Sequence, residues 1–422
     1  MHRYTMGVAG LAGALFSLAA QAVAPSLDPQ PYDSTIAVQE TSEPPLRIEG
    51  VNVIYGGFIK LDALFSIFSD GRVASTDQGR DYFRPSSIPV TTSAAEDPRS
   101  MFDMHAKDSR FFIKADATLE GHKLGGVLEL DYRTLAGGAS EVVTNGFTPR
   151  LRRAVLSYDN WAFGQDWTTF RSAEATPENI DDIGGPVEAL NIVRQPLLRY
   201  TMGPLQVAFE NSETFLAPNT GGGTTATFVT GDSQLPDLVA RYDLKTDFGN
   251  FGFSGVARAL NADRVATGGI APYDVADGSA FGWGLNVSGK VPTVAAAEVR
   301  FGLNYGDGLG RYVSLATVPD AVVDANGGLD TVGVAAAFAS YHQPWNAKWR
   351  SNLTLGTLQV NNDITLSGGA ATKSVDSGHV NLLYQPVDKL LFGAEVMHAI
   401  RKLENGDDGT LDRVQFSAKY SF

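Results

Sequence analysis

Long charged side chains recur at every second position along this sequence. Arg110, Lys114 and Asp116 share one parity, and so do Glu129, Asp131 and Arg133. Lone cations follow at similar places further on, among them Arg153, Arg199, Arg258, Arg300, Arg350, Arg413 and Lys419. A period of two puts such residues on one face of a β-strand. Their joint chemistry is electrostatic: they build a surface that attracts or repels ions. Groups for covalent chemistry are not organised in this way. Gly252-Phe253-Ser254-Gly255 is not a nucleophile elbow. His105, His122, His342, His379 and His398 are scattered, without the spacing of a zinc helix. His379 and His398 fall on neighbouring segments, but alternation points the first inward and the second outward. Gly306 to Gly310 has the wrong spacing for a nucleotide fingerprint, and Asn405 to Gly409 suits a surface turn better than a calcium loop. With 0 Cys, a disulfide, a thiolate nucleophile and a Cys-based zinc site are excluded. The expectation is a protein that is not an enzyme, with no catalytic residue, metal ligand or cofactor.

The elements that carry these charges read as amphipathic strands. In the first, Tyr55, Ile59, Leu61, Ala63 and Phe65 fall on one face, and Lys60 and Asp62 on the other. Leu124, Leu128, Leu130 and Tyr132 form another apolar face, as do Phe281, Trp283, Leu285 and Val287. Sixteen such segments run from 51–67 to 410–422, with connections that alternate between seven short turns and eight long loops. This is the signature of an all-β transmembrane antiparallel up-and-down β-barrel of about sixteen strands, with short periplasmic turns and long extracellular loops. A Lys or Arg facing lipid at the bilayer midplane costs roughly 2–4 kcal/mol, so the charged faces must line a wet interior. Trp345 and Trp349, with Tyr158, Trp161, Tyr384 and Phe422, sit at short-turn ends, as an interfacial aromatic girdle would.

The chain has 422 residues, Lys plus Arg 33 against Asp plus Glu 47, a net charge of −14 and 45 Gly. An acidic chain without a basic tail is not expected to bind nucleic acid. Residues 1–22 read as a signal peptide and 23–50 as a Pro-rich periplasmic extension punctuated by Pro25, Pro29, Pro31, Pro44 and Pro45; the barrel domain spans 51–422. The last strand alternates Val414, Phe416, Ala418, Tyr420 and Phe422. A terminal Phe of this kind resembles the signal read by the barrel assembly machinery. The expected location is the outer membrane of a Gram-negative bacterium, in contact with lipid and lipopolysaccharide.

The acids concentrate in loops. Glu174, Glu178, Asp181, Asp182 and Glu188 lie in or beside the third long loop, about 171–186, against Arg171 alone, and Gly184-Gly185 precedes Pro186 there. In a sixteen-stranded porin this loop folds inward. The expectation is an acidic loop facing a basic wall across a gap that focuses the field. The wall candidates are Lys60, Arg110, Lys114, Arg133, Arg153 and Arg199, and they would select small anions. Three other readings stay open. The wall charges can pair with one another and leave a merely hydrophilic pore. The channel can be saturable and specific for one nutrient class. The long loops 68–106 or 214–236 can serve adhesion on a closed barrel.

Several segments carry a resemblance. They are Gly57-Phe58-Ile59-Lys60-Leu61-Asp62-Ala63, Asp108-Ser109-Arg110-Phe111, Arg150-Leu151-Arg152-Arg153-Ala154, Gly164-Gln165-Asp166-Trp167 after Asn160-Trp161, and Arg194-Gln195-Pro196 with Arg199-Tyr200. Together they resemble the DcaP-like outer-membrane porin family. The resemblance implies a homotrimer that takes up small organic anions such as dicarboxylates and aromatic acids, with Arg153 and Arg199 lining the pore. Family members can carry a longer helical periplasmic extension; the short Pro-rich 23–50 argues against such a stalk here.

Overall fold

In the computed structural model, the described residues are 46–48, 50–91, 97–135, 144–181, 183–220, 228–232, 234–269 and 274–422. The expected signal peptide, most of the Pro-rich extension and Asp182 lie outside them.

Sixteen antiparallel strands close into one barrel. They are β1 Val51–Phe68, β2 in two pieces Arg99–His105 and Arg110–Leu119, β3 His122–Leu135, β4 Phe147–Tyr158, β5 Trp161–Trp167 and β6 Arg194–Met202. Then follow β7 Leu205–Glu210, β8 Asp237–Thr246, β9 Gly249–Ala266, β10 Val275–Pro292 and β11 Glu298–Asp307. The last are β12 Gly333–Pro344, β13 Trp349–Asn361, β14 Thr372–Val387, β15 Leu390–Leu403 and β16 Asp408–Ser421. β16 returns to β1 in a register from Phe58↔Ser421 to Phe68↔Leu411, so no edge is left for lipid. Leu46–Ile48 adds a short hairpin onto Val51–Val53.

Alternation along β1 follows the sequence pattern. Tyr55, Ile59, Leu61 and Phe65 are exposed on the outside, while Lys60 and Asp62 are buried inside. Trp349 stacks on Tyr384 at 4.3 Å and Trp161 packs on Tyr200 at 4.5 Å, both beside short turns. Several boundaries differ from expectation, and three show why. Arg99–His105 was expected within a loop. It continues β2, because four residues, 106–109, bulge out of the ladder and hide the parity. Residues 187–193 were expected in a strand. They belong to the third loop, where Val187, Ala189 and Leu190 pack inside the barrel. The segment expected from 294 starts later, at Glu298, after a 3-10 turn over Val294–Ala296.

The interior is not uniformly wet. Loops 69–98, 168–193 and 308–332 fold inward and build a core with Phe83, Phe170, Leu190, Leu309 and Tyr312. Its buried wall members, such as Phe68, Val239, Val256, Phe338 and Leu358, come from β1, β8, β9 and β12 to β16. Among the described residues none of the fully buried members comes from β2 to β7, and Met101 of β2 packs against the core as a partly buried one. One half of the lumen is therefore filled, and the half beside β2–β7 is spared. Phe215–Ala217 and Val229–Thr230, between β7 and β8, join the filling and form a small sheet with Ala321–Val323 and Leu329–Thr331.

Arg258 on β9 locks this assembly. Its guanidinium, without exposed surface, donates to Asp320 Oδ1 at 2.6 Å, Gly308 O at 2.6 Å, Glu213 O at 2.7 Å and Asp237 Oδ2 at 3.2 Å. Asp320 Oδ2 in turn accepts from Phe215 N at 2.9 Å. An Arg258→Ala change leaves two buried carboxylates without their cation, a loss of about 3–5 kcal/mol. Limited proteolysis of the folded variant should cut 308–332, whose side chains are largely buried in the parent barrel.

Candidate solute channel

The spared half of the lumen carries the basic wall. β4 owes its charge to a bulge. The register steps from Glu129↔Arg153 to Leu130↔Leu151, which leaves Arg152 unpaired in the ladder. Arg150, Arg152 and Arg153 then all reach inner carboxylates, although strict alternation would turn one outward. Gln165 on β5 caps the bulge, donating to Leu151 O at 3.1 Å and Arg152 O at 3.2 Å. Gly164 beside it has φ +122°, and a Cβ there would stand 2.1 Å from Ala154 O. Only Gly lets β4 and β5 approach this closely.

The charges form a connected lattice. Arg150 donates to both oxygens of Asp131, at 2.8 and 2.6 Å. Arg152 bridges Glu129 at 2.5 Å and Asp131 at 2.8 Å. Arg153 and Arg199 share Asp166, at 2.7 and 2.6 Å. Arg110 lies 3.5 Å from Glu129, and Arg133 pairs with Asp108. Lys60 Nζ sits 2.8 Å from Asp62 and 3.4 Å from Asp108. Asp62, His105 and Asp108 are close enough to hold a metal ion, but the Lys60 ammonium already occupies that cation position. With Arg194, eight cations on β1 to β6 meet five carboxylates, a surplus of three. Lys114 stands nearer the periplasmic end, over the Phe112 ring at 5.9 Å.

Beside this lattice lies a cavity of about 670 Å³. Arg84, Arg133, Arg150, Arg152 and Arg194 line it, with Asp77 as the one lining carboxylate and with Tyr82, Trp167, Ile183, Ile192 and Leu315 as its less polar surface. Trp167 gathers guanidinium groups: Arg171 at 4.1 Å, Arg194 at 5.0 Å and Arg152 at 5.8 Å from its centroid. Arg133 lies over Tyr82 at 4.6 Å. Arg194 Nη1 is buried without a hydrogen-bond partner. Arg84 and Tyr82 were not singled out from the sequence, and Arg150, Arg152, Arg194 and Trp167 were quoted only in the segments that carry the resemblance, not as pore-lining candidates. The run Arg150-Leu151-Arg152-Arg153 did hold a signal, since its broken parity announces a bulge.

The third loop does fold inward, but its described acids, Glu174, Glu178 and Asp181, make their hydrogen bonds elsewhere than on the basic wall, and Arg133 acts on Asp181 only from a distance. Glu174 accepts from Asn250 at 2.7 Å and lies 3.7 Å from Lys245. Glu178 takes Arg350 of β13, with Nη2 at 2.7 Å and Nε at 3.0 Å, and His342 stands 3.4 Å away. Asp181 accepts from Phe83 N at 2.8 Å and Ile183 N at 2.9 Å. The expected confrontation of acid and base across the gap is thus replaced by acids that pin the loop to the far wall and to loop 69–98. A buried carboxylate needs a partner at close range, and the far wall supplies it.

Burial alone would raise the Glu178 carboxyl, but Arg350 overrides it and holds the group below its ordinary 4.5. Burial wins at Asp181 and raises it, although two backbone amides oppose the shift. The Glu178–Arg350 contribution is therefore complete above pH 4.5 and is lost as pH falls through the depressed value. An Arg350→Ala variant should weaken loop docking by about 3 kcal/mol. Proteolysis at neutral pH should cut the described stretch 171–181 faster in the folded variant than in the parent.

A sequence profile of the DcaP outer membrane protein family matches residues 36–422. No curated protein matches the sequence. Among solved structures, the outer membrane channel DcaP of Acinetobacter baumannii is 23% identical, with a TM-score of 0.70 over 88% of this chain and 98% of that one. The anion-selective porin from Comamonas acidovorans shares the fold at 11% identity, with a TM-score of 0.51 over 88% of this chain and 100% of that one. OmpT of Vibrio cholerae does so at 12% identity, with a TM-score of 0.50 over 90% and 99%. The chain belongs to the DcaP outer membrane protein family, and it is an outer-membrane β-barrel of the porin type.

Proposed function

We propose that the barrel is a diffusion channel for small organic anions, dicarboxylates and aromatic acids above all. The observation that carries this reading is the cavity lined by five Arg and one Asp beside a wall with a net surplus of positive charge. Within a low-dielectric wall such a surplus concentrates anions and repels cations. The Arg groups offer forked donors that match a carboxylate, and the buried Nη1 of Arg194 offers one with no bond to lose. Trp167, Tyr82 and the Ile side chains accept the ring or methylene part of an acid. Lys60, Arg110, Lys114, Arg133, Arg153 and Arg199 continue the positive path toward the periplasm. Glu174, Glu178 and Asp181 shape it indirectly, by holding the loop that bounds it.

The same reading includes a homotrimer, export through a cleaved 1–22 segment and assembly through the terminal strand. Phe422 N donates to Gly57 O at 3.0 Å, so the last residue is a rung of the ladder that closes the barrel.

Arg84 and Arg194 make no ion pair among the described residues, so their removal strands no carboxylate. An Arg84→Ala/Arg194→Ala barrel should fold and conduct. Its block by a small dicarboxylate should need about tenfold more solute, the equivalent of one charge-assisted hydrogen bond of roughly 1.5 kcal/mol. Unchanged block would mean that the cavity does not hold the solute.

A further inference from the structure

The third loop is also held by a carboxyl that has no cation of its own. Glu188 is fully buried between the loop and the wall. Its Oε1 accepts from Ser377 Oγ of β14 at 2.5 Å, while Oε2 has no hydrogen-bond partner. The carboxyl fits a notch at Gly356 of β13, where a Cβ would stand 2.2 Å from Oε1 and 2.6 Å from Pro186.

The surroundings hold few charges. On β14, Ser377 Oγ is 3.1 Å from His379 Nε2, and Asp376 is the other ionisable neighbour. On β15, Glu395 Oε1 lies 3.2 Å from His379 Nδ1. Glu395 Oε2 accepts from Ile180 N at 3.2 Å and from Asn179 and Asn381 at 3.3 and 3.1 Å. Loop 69–98 contributes the Phe83 ring, edge-on to His379. Asp181 of the third loop and Arg413 of β16 act on the cluster from further off. Among the described residues no cation bonds to Glu188 itself; His379 and the Glu188 backbone amide favour its ionised form but do not offset burial. A neutral carboxyl tolerates this pocket with one hydrogen bond, whereas an ionised one lacks the partners that burial of charge demands.

We propose that Glu188, Ser377 and the Gly356 notch form a proton-operated latch, in which ionisation of Glu188 releases the loop from the wall and lets it swing into the channel. The wall blocks movement outward, so the lumen is the one direction open. Gly184 and Gly185, with φ +111° and +86°, stand where the loop must hinge. Burial pushes the Glu188 carboxyl up to about 7 from its ordinary 4.5. The sign follows. Docking binds the proton more tightly than release does, so docking is strongest below pH 4.5, weakens between 4.5 and about 7, and levels off above. One proton changes the docked-to-released ratio by at most about tenfold per pH unit.

The inference rests on the channel reading. The test is single-channel recording of the refolded protein at pH 5 and pH 8, with heat-modifiable mobility as the check on folding. The parent should visit a lower-conductance level more often at pH 8. Glu188→Gln, neutral at both values, should stay in the high level at both. Gly356→Ala, which fills the notch, should favour the low level at both. Identical gating of the parent at the two pH values overturns the latch and leaves the channel standing, and this arm needs no variant. A pH response retained by Glu188→Gln also overturns it. No conductance at any pH overturns latch and channel together.

Discussion

Hydrocarbon cannot solvate a guanidinium, and most of this structure follows from that constraint. It forces each strand to send its charges inward, which sets the period of two seen from β1 to β16. It also forces the barrel to answer those charges internally. Asp62, Asp108, Glu129, Asp131 and Asp166 do so on one wall, where each meets at least one Lys or Arg. Such pairs add little net stability, because desolvation offsets attraction. Their effect is positional. They fix where each guanidinium stands, and those left over set the sign of the lumen.

The loops then decide which part of the lumen stays open. An apolar inner face on β8, β9 and β12 to β16 receives loops 69–98, 168–193 and 308–332, and the Arg258 lattice fixes the last of these to β9. Among the described residues, β2 to β7 give this core no fully buried member and only Met101 of β2 as a partly buried one. Filling one side and sparing the other concentrates the path against positive charge. Glu174, Glu178 and Asp181 of the third loop contribute by being used up, since their hydrogen bonds lead away from the path.

Fold class was legible in the sequence because lipid enforces alternation along most of the outer face, and the bulges that interrupt it are few. Tyr55, Ile59, Leu61 and Phe65 could not have been arranged otherwise. Legibility failed where the inner face ceased to be a strand. Arg99–His105 was hidden by the bulge at 106–109, and Val187 and Ala189 imitated a strand because the core they enter is also apolar. The candidate site was half visible. Lys60, Arg133, Arg153 and Arg199 follow strand parity. Arg152 departs from it through the bulge, and Arg84 and Tyr82 come from a loop with no period at all. Glu178 was recognised as a loop acid, but its partner Arg350 lies 172 positions away in the chain, a pairing that no local pattern encodes.

The central claim is that the surplus positive charge of the wall, and not the net negative charge of the chain, governs what passes. The reversal potential of the parent channel in a potassium chloride gradient tests this most directly. The account predicts a potential with the sign of chloride permeation. A potential at zero, or with the sign of potassium, would contradict it.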